Sequence, residues 1–208
     1  MKNQSGGVTP EQYKEQFDKD VAKHEVKTLH NDGIYRHISC GIPGSSDMRF
    51  GITTWPGYLA ITGDMGDFVF ARTNDMFEFF RCDRIRHDYW SEKCCSASVF
   101  GGGIKRFSVD KFRRNVIEHA IDVEDVETKE ELPANVKEDI QELLDAEDEH
   151  ECVAAMNGFS SADIEFTDFW ERDCEEFTHH YLWCCHAIVW AIAKFDEMTA
   201  AQTTEPAK

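Results

Sequence analysis

Two aspartates three residues apart sit on a glycine-flanked turn, Gly63-Asp64-Met65-Gly66-Asp67, where paired carboxylates can hold a divalent ion or act as base and acid. Asp75 and Glu78 lie close enough in sequence to fold over them. A few residues on, Arg81, Arg84, Arg86 and His87 form a cationic cluster able to hold an anion such as a nucleotide, or to pair with the acidic tract of residues 122–151. The competing reading of the turn is structural, with each Asp bonding its own backbone, and no nucleophile, phosphate loop or full metal motif accompanies the pair.

Near the C-terminus, His180 and Cys184 share a helix face at a spacing of four, with Cys185, Cys174, His179 and His186 as further donors for zinc. Vicinal cysteines in an apolar helix pack more often than they ligate, so no metal site is assigned. Gly101-Gly102-Gly103-Ile104-Lys105-Arg106 lacks the Gly-Lys-Ser/Thr of a phosphate loop and reads as a turn. No catalytic residue and no cofactor are assigned.

The densest chemical signal is electrostatic. The chain carries 40 acidic and 22 basic residues, a net of −18, and the thirty residues from Asp122 to Glu151 hold fourteen Asp or Glu against two Lys. Such a field repels nucleic acid and anionic membranes and attracts cationic proteins. Pro133 opens a helical pattern with Val136, Ile140, Leu143 and Leu144 on one stripe. Glu138, Asp139, Glu142, Asp145, Asp148 and Glu149 are left outward as candidate partner-binding residues. Treated as one helix, Val136 to His150 has seven acids and one Lys, about one net charge per 4 Å against about 3.4 Å along one DNA strand. An acidic face of this density is able to imitate a phosphate backbone; a solvated surface is the plainer alternative.

The positioning elements read as α+β. Thr9-Pro10-Glu11 opens a helix with Tyr13, Phe17 and Val21 on one face, expected to run to about Leu29 and to stop at Asn31-Asp32-Gly33. Strands follow at 34–40, 48–55, 58–62 and 67–71, joined by Pro56-Gly57 and by the Gly63–Gly66 turn, so an antiparallel meander is expected. Asn74 or Thr73 caps a short helix bearing Met76, Phe77, Phe79 and Phe80, whose spacing suits packing on a sheet. Cys94 to Phe100 reads as another strand, and Ser108 caps a helix with Phe112, Val116 and Ala120. Asn157-Gly158 ends the acidic region, Phe166, Phe169 and Trp170 add core, and the last helix is apolar on most sides. The expected organisation is a mostly antiparallel sheet packed by helices over 1–121, an acidic helical arm over 122–158, helices completing the core over 159–198, and a tail over 199–208.

The eight cysteines are expected as reduced thiols, and the longest apolar stretch, Tyr181 to Phe195, is shorter than the roughly 20 residues a spanning helix needs. Together with a polar N-terminus this predicts a cytoplasmic location.

The runs Ile52-Thr53-Thr54-Trp55-Pro56-Gly57, Gly63-Asp64-Met65-Gly66-Asp67-Phe68-Val69-Phe70, Asp75-Met76-Phe77-Glu78-Phe79-Phe80-Arg81 and Trp183-Cys184-Cys185-His186-Ala187-Ile188-Val189-Trp190 resemble a family of tailed-phage and prophage accessory proteins. The resemblance covers most of the chain, the acidic tract least, and brings no activity or site residue with it. It implies a small accessory protein acting in a bacterial host. The leading expectation is thus a non-catalytic inhibitor of a host protein with a basic surface, such as a nucleic-acid-handling defence factor, engaged through a nucleic-acid-mimicking acidic face. The alternative is a nucleotide-binding or nucleotide-hydrolysing enzyme using Asp64, Asp67 and the Arg81–His87 cluster, and a virion component is a third reading that no motif favours.

Overall fold

The computed structural model describes residues 10–204. The chain forms two compact units: one runs up to Ile104 and resumes at Thr178, and the other is Lys105–Phe177, inserted between them. The fold class is α+β, as expected, with the meander as its frame.

In the first unit, β1 (Glu25–Asp32), β2 (Tyr35–Gly41), β3 (Phe50–Trp55), β4 (Tyr58–Gly63), β5 (Phe68–Ala71) and β6 (Cys94–Ala97) form one sheet in sequence order. Every neighbouring pair is antiparallel. Register puts Ile38, Ile52, Ile61 and Phe68 in one row across four strands, all fully buried. The alternate row His37, Thr53, Ala60 and Val69 lies on the other face and is only partly covered, the period-two signature of a sheet with one wet side. Gly63 closes β4 so tightly that a Cβ there would lie 2.2 Å from the Arg49 carbonyl oxygen and 2.7 Å from Phe50 Cα, hence the glycine.

The buried face is covered by α8 (His179–Thr204), with α1 (Pro10–Asp20), α2 (Met76–Phe80) and α3 (His87–Ser91) in the same unit. Trp183 meets Phe50 edge-on at 5.5 Å, Tyr181 meets Phe68 at 5.6 Å, and Phe195 meets Phe77 at 5.4 Å. Thr178 caps α8 by accepting from Tyr181 N at 3.2 Å, while its own hydroxyl donates to the Gly103 carbonyl. No helix among the described residues is long and apolar enough to cross a membrane.

Several expected boundaries move. The first helix ends at Asp20 rather than near Leu29, because the apolar spacing of four stops at Val21 and the following residues pair with β2 across the Asp32-Gly33 turn, where Gly33 has φ +61°. Pairing in β1 slips between Thr28 and His30, so Leu29 is an extra, exposed residue in a bulged edge strand. Asp75, not Asn74 or Thr73, caps α2: its carboxylate accepts from Phe77 N at 2.9 Å and takes both Arg36 nitrogens at 2.8 and 2.9 Å. Residues expected as a tail continue α8 to Thr204, and 205–208 lie outside the described residues.

The second unit is entered and left through a two-stranded ribbon of β7 (Lys105–Phe107) and β8 (Glu175–Phe177). Between them lie α4 (Val109–Glu124), α5 (Ala134–Asp139), α6 (Gln141–Asp145) and α7 (Glu149–Gly158). Ser108 caps α4 as expected, and Phe112, Val116 and Ala120 are buried with Leu132, Val136, Ile140, Leu143, Cys152, Met156 and Phe169. The stretch 122–158 is therefore no separate element: it shares a core with α4 and with residues 159–174. Trp170, expected in that core, is 46% exposed.

The Thr178 backbone N–H donates to the Ile104 carbonyl at 2.9 Å, so the two ends of the first unit already touch where the insertion departs. Replacing 105–177 by a short Gly/Ser linker is expected to leave a folded protein with cooperative thermal unfolding and the aromatic near-UV signal of the α8–sheet core. A molten, non-cooperative product would show that the insertion is needed to fold the rest.

Candidate functional site

The charge is concentrated in the inserted unit. Lys105–Phe177 holds 23 acidic against 8 basic residues, a net of −15 out of the chain's −18. Of the fourteen acids in 122–151, twelve are exposed and Glu124 and Asp139 are half-buried.

Five of the unit's eight cations are held by groups other than the tract's carboxylates. Lys105 and Lys111 both hold Asp173, at 3.3 and 3.0 Å, and Arg114 holds Glu176 at 2.6 Å. Arg113 donates to the Ala146 carbonyl at 2.7 Å, and Lys137 to that of Glu130 at 2.7 Å. The backbone N–H of Glu175, followed by Lys111 and Lys105, draws the Asp173 carboxyl down to about 2. Among the described residues the acidic tract receives a single ion pair, Arg172 to Asp122 at 3.5 Å.

The six candidate acids differ in what they do locally. Glu138, Glu142 and Glu149 are exposed, with no hydrogen bond or ion pair from described residues. Asp145 accepts from Gln141 Nε2 at 2.7 Å, Asp139 from the Ser161 hydroxyl, and Asp148 caps α7 by accepting from Glu151 N at 2.9 Å. The expected single helix from Val136 to His150 breaks after Asp145, where Ala146 turns extended (ψ 133°), so its charge spacing does not run through to His150.

The other candidates are held by the fold and are not gathered into one site. Asp67 accepts from Gly63 N at 3.2 Å, the turn-bonding alternative, whereas Asp64 reaches outside its turn and accepts from Met48 N at 2.9 Å. Arg81 makes a two-point pair with Asp196 at 2.9 and 2.8 Å and also reaches Glu78. Arg86 lies over the Tyr89 ring at 4.8 Å. Asp64 lines a groove on the wet sheet face with His37, Ser39 and Arg49, Arg81 lines another beside Asp196, and Arg84 a third with His87 and His186. None of these three grooves unites the carboxylate pair with Arg81, Arg84 or Arg86.

The cysteines of α8 are core atoms: Cys184 and Cys185 are at most 1% exposed, burial holds both thiols well above their ordinary range, and Cys184 Sγ donates to the Met65 carbonyl at 3.4 Å. All eight cysteines are free, and no group of three His, Cys, Asp or Glu among the described residues is arranged to hold a metal.

What sequence reading missed is the setting of His186, which it offered only as a zinc donor. The ring stacks on Tyr13 (5.5 Å, 29°), touches Phe17 at 5.5 Å and faces His87 at 5.9 Å. Burial, then His87 and Lys14, pulls its titration down to about 4. The available signal was Tyr13 and Phe17 four apart on α1, a stripe that needs a flat partner.

Two outcomes follow. Reversing Glu138, Glu142 and Glu149 to Lys is expected to leave the denaturation midpoint unchanged or slightly higher by relieving self-repulsion, whereas Asp148→Ala, which removes a cap, lowers stability by about 1 kcal/mol. The unfolded chain binds a proton at His186 near pH 6.5 and the folded chain only near pH 4, so stability is lost as pH falls through that window. His186→Phe is therefore expected to flatten the pH dependence of the unfolding free energy between those values; an unaltered slope would show that the imidazole is not held neutral.

No family model, curated protein or solved structure matches the chain.

Proposed function

We propose that the protein is a phage-encoded accessory protein that binds, without catalysis, the basic surface of a host protein that handles nucleic acid, using the acidic face of the inserted unit. The observation that carries this reading is the uncompensated charge: twelve of fourteen tract carboxylates are exposed and one is ion-paired, while Lys105, Lys111, Arg113, Arg114 and Lys137 are committed to Asp173, Glu176 and backbone carbonyls. An acidic surface needed only for solubility has no reason to keep its own cations away, since interspersed pairs serve solubility equally well. Held on a packed core, these carboxylates are presented with little ordering to be done at encounter, and a phosphate-tracking groove meeting them releases its counterions as it would on DNA. The resemblance to phage accessory proteins supports a host target.

The nucleotide-enzyme reading receives no comparable support, because Asp64, Asp67 and Arg81 are each occupied by structural partners.

The test is inhibition of DNA cleavage by a panel of purified host nucleases and restriction complexes, at low and moderate salt, with duplex DNA as competitor. Inhibition is expected to compete with DNA, to weaken at least tenfold between about 50 and 200 mM salt, and to disappear when Glu138, Glu142, Asp145 and Glu149 are all changed to Lys. Inhibition that survives the fourfold reversal rejects the acidic face as the contact.

A further inference from the structure

A cavity of about 730 Å³ opens in the first unit between α1, the connection 82–87 and α8. Its size falls within the range of small-molecule sites, and Phe17, Ile85, Val189 and Trp190 give it an apolar floor. The Trp190 ring is held from behind, edge-on to His24 at 6.3 Å and to Phe50 at 6.3 Å, so its orientation does not depend on a ligand.

The polar lining is sparse and largely settled. Lys14 is paired with Asp18 at 2.6 Å, and Glu11, Asp83 and Arg84 are exposed at the mouth. His186 is different. Its ring is gripped by Tyr13, Phe17 and His87, yet neither ring nitrogen has a hydrogen-bond partner among the described residues, and the residue lines the cavity. Tyr13 is itself pinned, since its hydroxyl donates to the His179 carbonyl at 2.8 Å and lies 2.8 Å from His179 Nδ1. The result is a fixed imidazole, neutral near pH 7 because it is desolvated, presenting one donor and one acceptor beside an aromatic floor.

We propose that this cavity binds an uncharged, flat, nitrogen-containing ring of the nucleobase or nicotinamide class, seated on the Trp190–Phe17 floor and hydrogen-bonded through its ring heteroatoms to His186. The chemistry selects the class. An apolar hydrocarbon leaves the imidazole unmet inside the cavity, and an anion meets a mouth where Glu11, Asp18 and Asp83 outnumber Lys14 and Arg84 on a chain of net −18. A neutral heteroaromatic edge offers the complementary donor and acceptor and a face to stack.

The experiment is calorimetric titration of the full chain at pH 7.5 with adenosine, guanosine, cytidine, uridine and nicotinamide, with benzyl alcohol as a flat ring lacking nitrogen. Two-dimensional NMR reads the Trp190 indole N–H in parallel. One or more of the nitrogen rings is expected to bind at one site and shift that signal, with benzyl alcohol at least tenfold weaker. His186→Phe, which keeps the stack, is expected to weaken binding at least tenfold. Ala193→Trp, on the exposed side of α8 at the cavity wall, is expected to block it while leaving the core untouched. No binding by any nitrogen ring, equal binding of benzyl alcohol, or retained affinity in both variants overturns the proposal. None of these outcomes bears on the acidic face, which lies in the inserted unit.

Discussion

Everything in the first unit depends on removing water from between one face of a six-stranded meander and one long helix. The buried row Ile38, Ile52, Ile61 and Phe68 runs across four strands, and α8 supplies Tyr181, Trp183, Ile188, Ile192 and Phe195. Aromatic side chains of this size each bury on the order of 150–250 Å², so a handful of ring contacts outweighs every surface ion pair in the unit. Two polar groups of α8 caught in this layer are answered: Tyr181 Oη donates to the His87 carbonyl at 2.8 Å, and Trp183 Nε1 to Asp20 at 3.2 Å. The Arg36–Asp75 pair shows the same rule at the sheet's end, where a largely buried guanidinium lies 4.5 Å over the Phe77 ring and is matched by the carboxylate that caps α2.

The inserted unit solves a different problem: folding a chain segment that repels itself. Its core of Phe112, Val116, Val136, Ile140, Leu143 and Phe169 must outweigh a net charge of −15. It does so by dividing its helices, with apolar residues at every third or fourth position turned inward and carboxylates left on the remaining sides. Acids near helix starts, such as Asp110, Glu149 and Glu151, sit where the helix dipole favours them. Part of the charge thus contributes to folding, and the rest is available to a partner.

Much of this was legible in the letters. Strand alternation at Phe50–Trp55 and Phe68–Ala71, the Pro56-Gly57 and Gly63–Gly66 turns, the Ser108 cap and the stripe Val136, Ile140, Leu143 each carry a local physical signal, and each element is found where that signal placed it. The failures are where distant partners decide. Glu25–Asp32 is polar enough to continue a helix, and it is a strand because β2 offers a ladder. Asp75 outcompetes Asn74 as a cap because Arg36, thirty-nine residues away, holds its carboxylate. The boundary at Lys105 was invisible because β7 and β8 are three residues each and recognise one another only after folding. Among the candidate site residues, five of the six tract acids are exposed and Asp139 is half-buried, whereas Asp64 and Arg81 are fastened by groups sixteen and 115 residues away. The environment of His186 joins α1, α3 and α8 and had no local trace.

The bulge at Leu29 acts in a second way. An open sheet edge invites another molecule's strand to add on, and an irregular edge carrying a surplus residue discourages that templating. Mutual repulsion between highly anionic copies discourages the same event, but dissolved ions screen it away. In concentrated electrolyte, the misfit backbone of β1 is the deterrent at this edge that screening leaves in place.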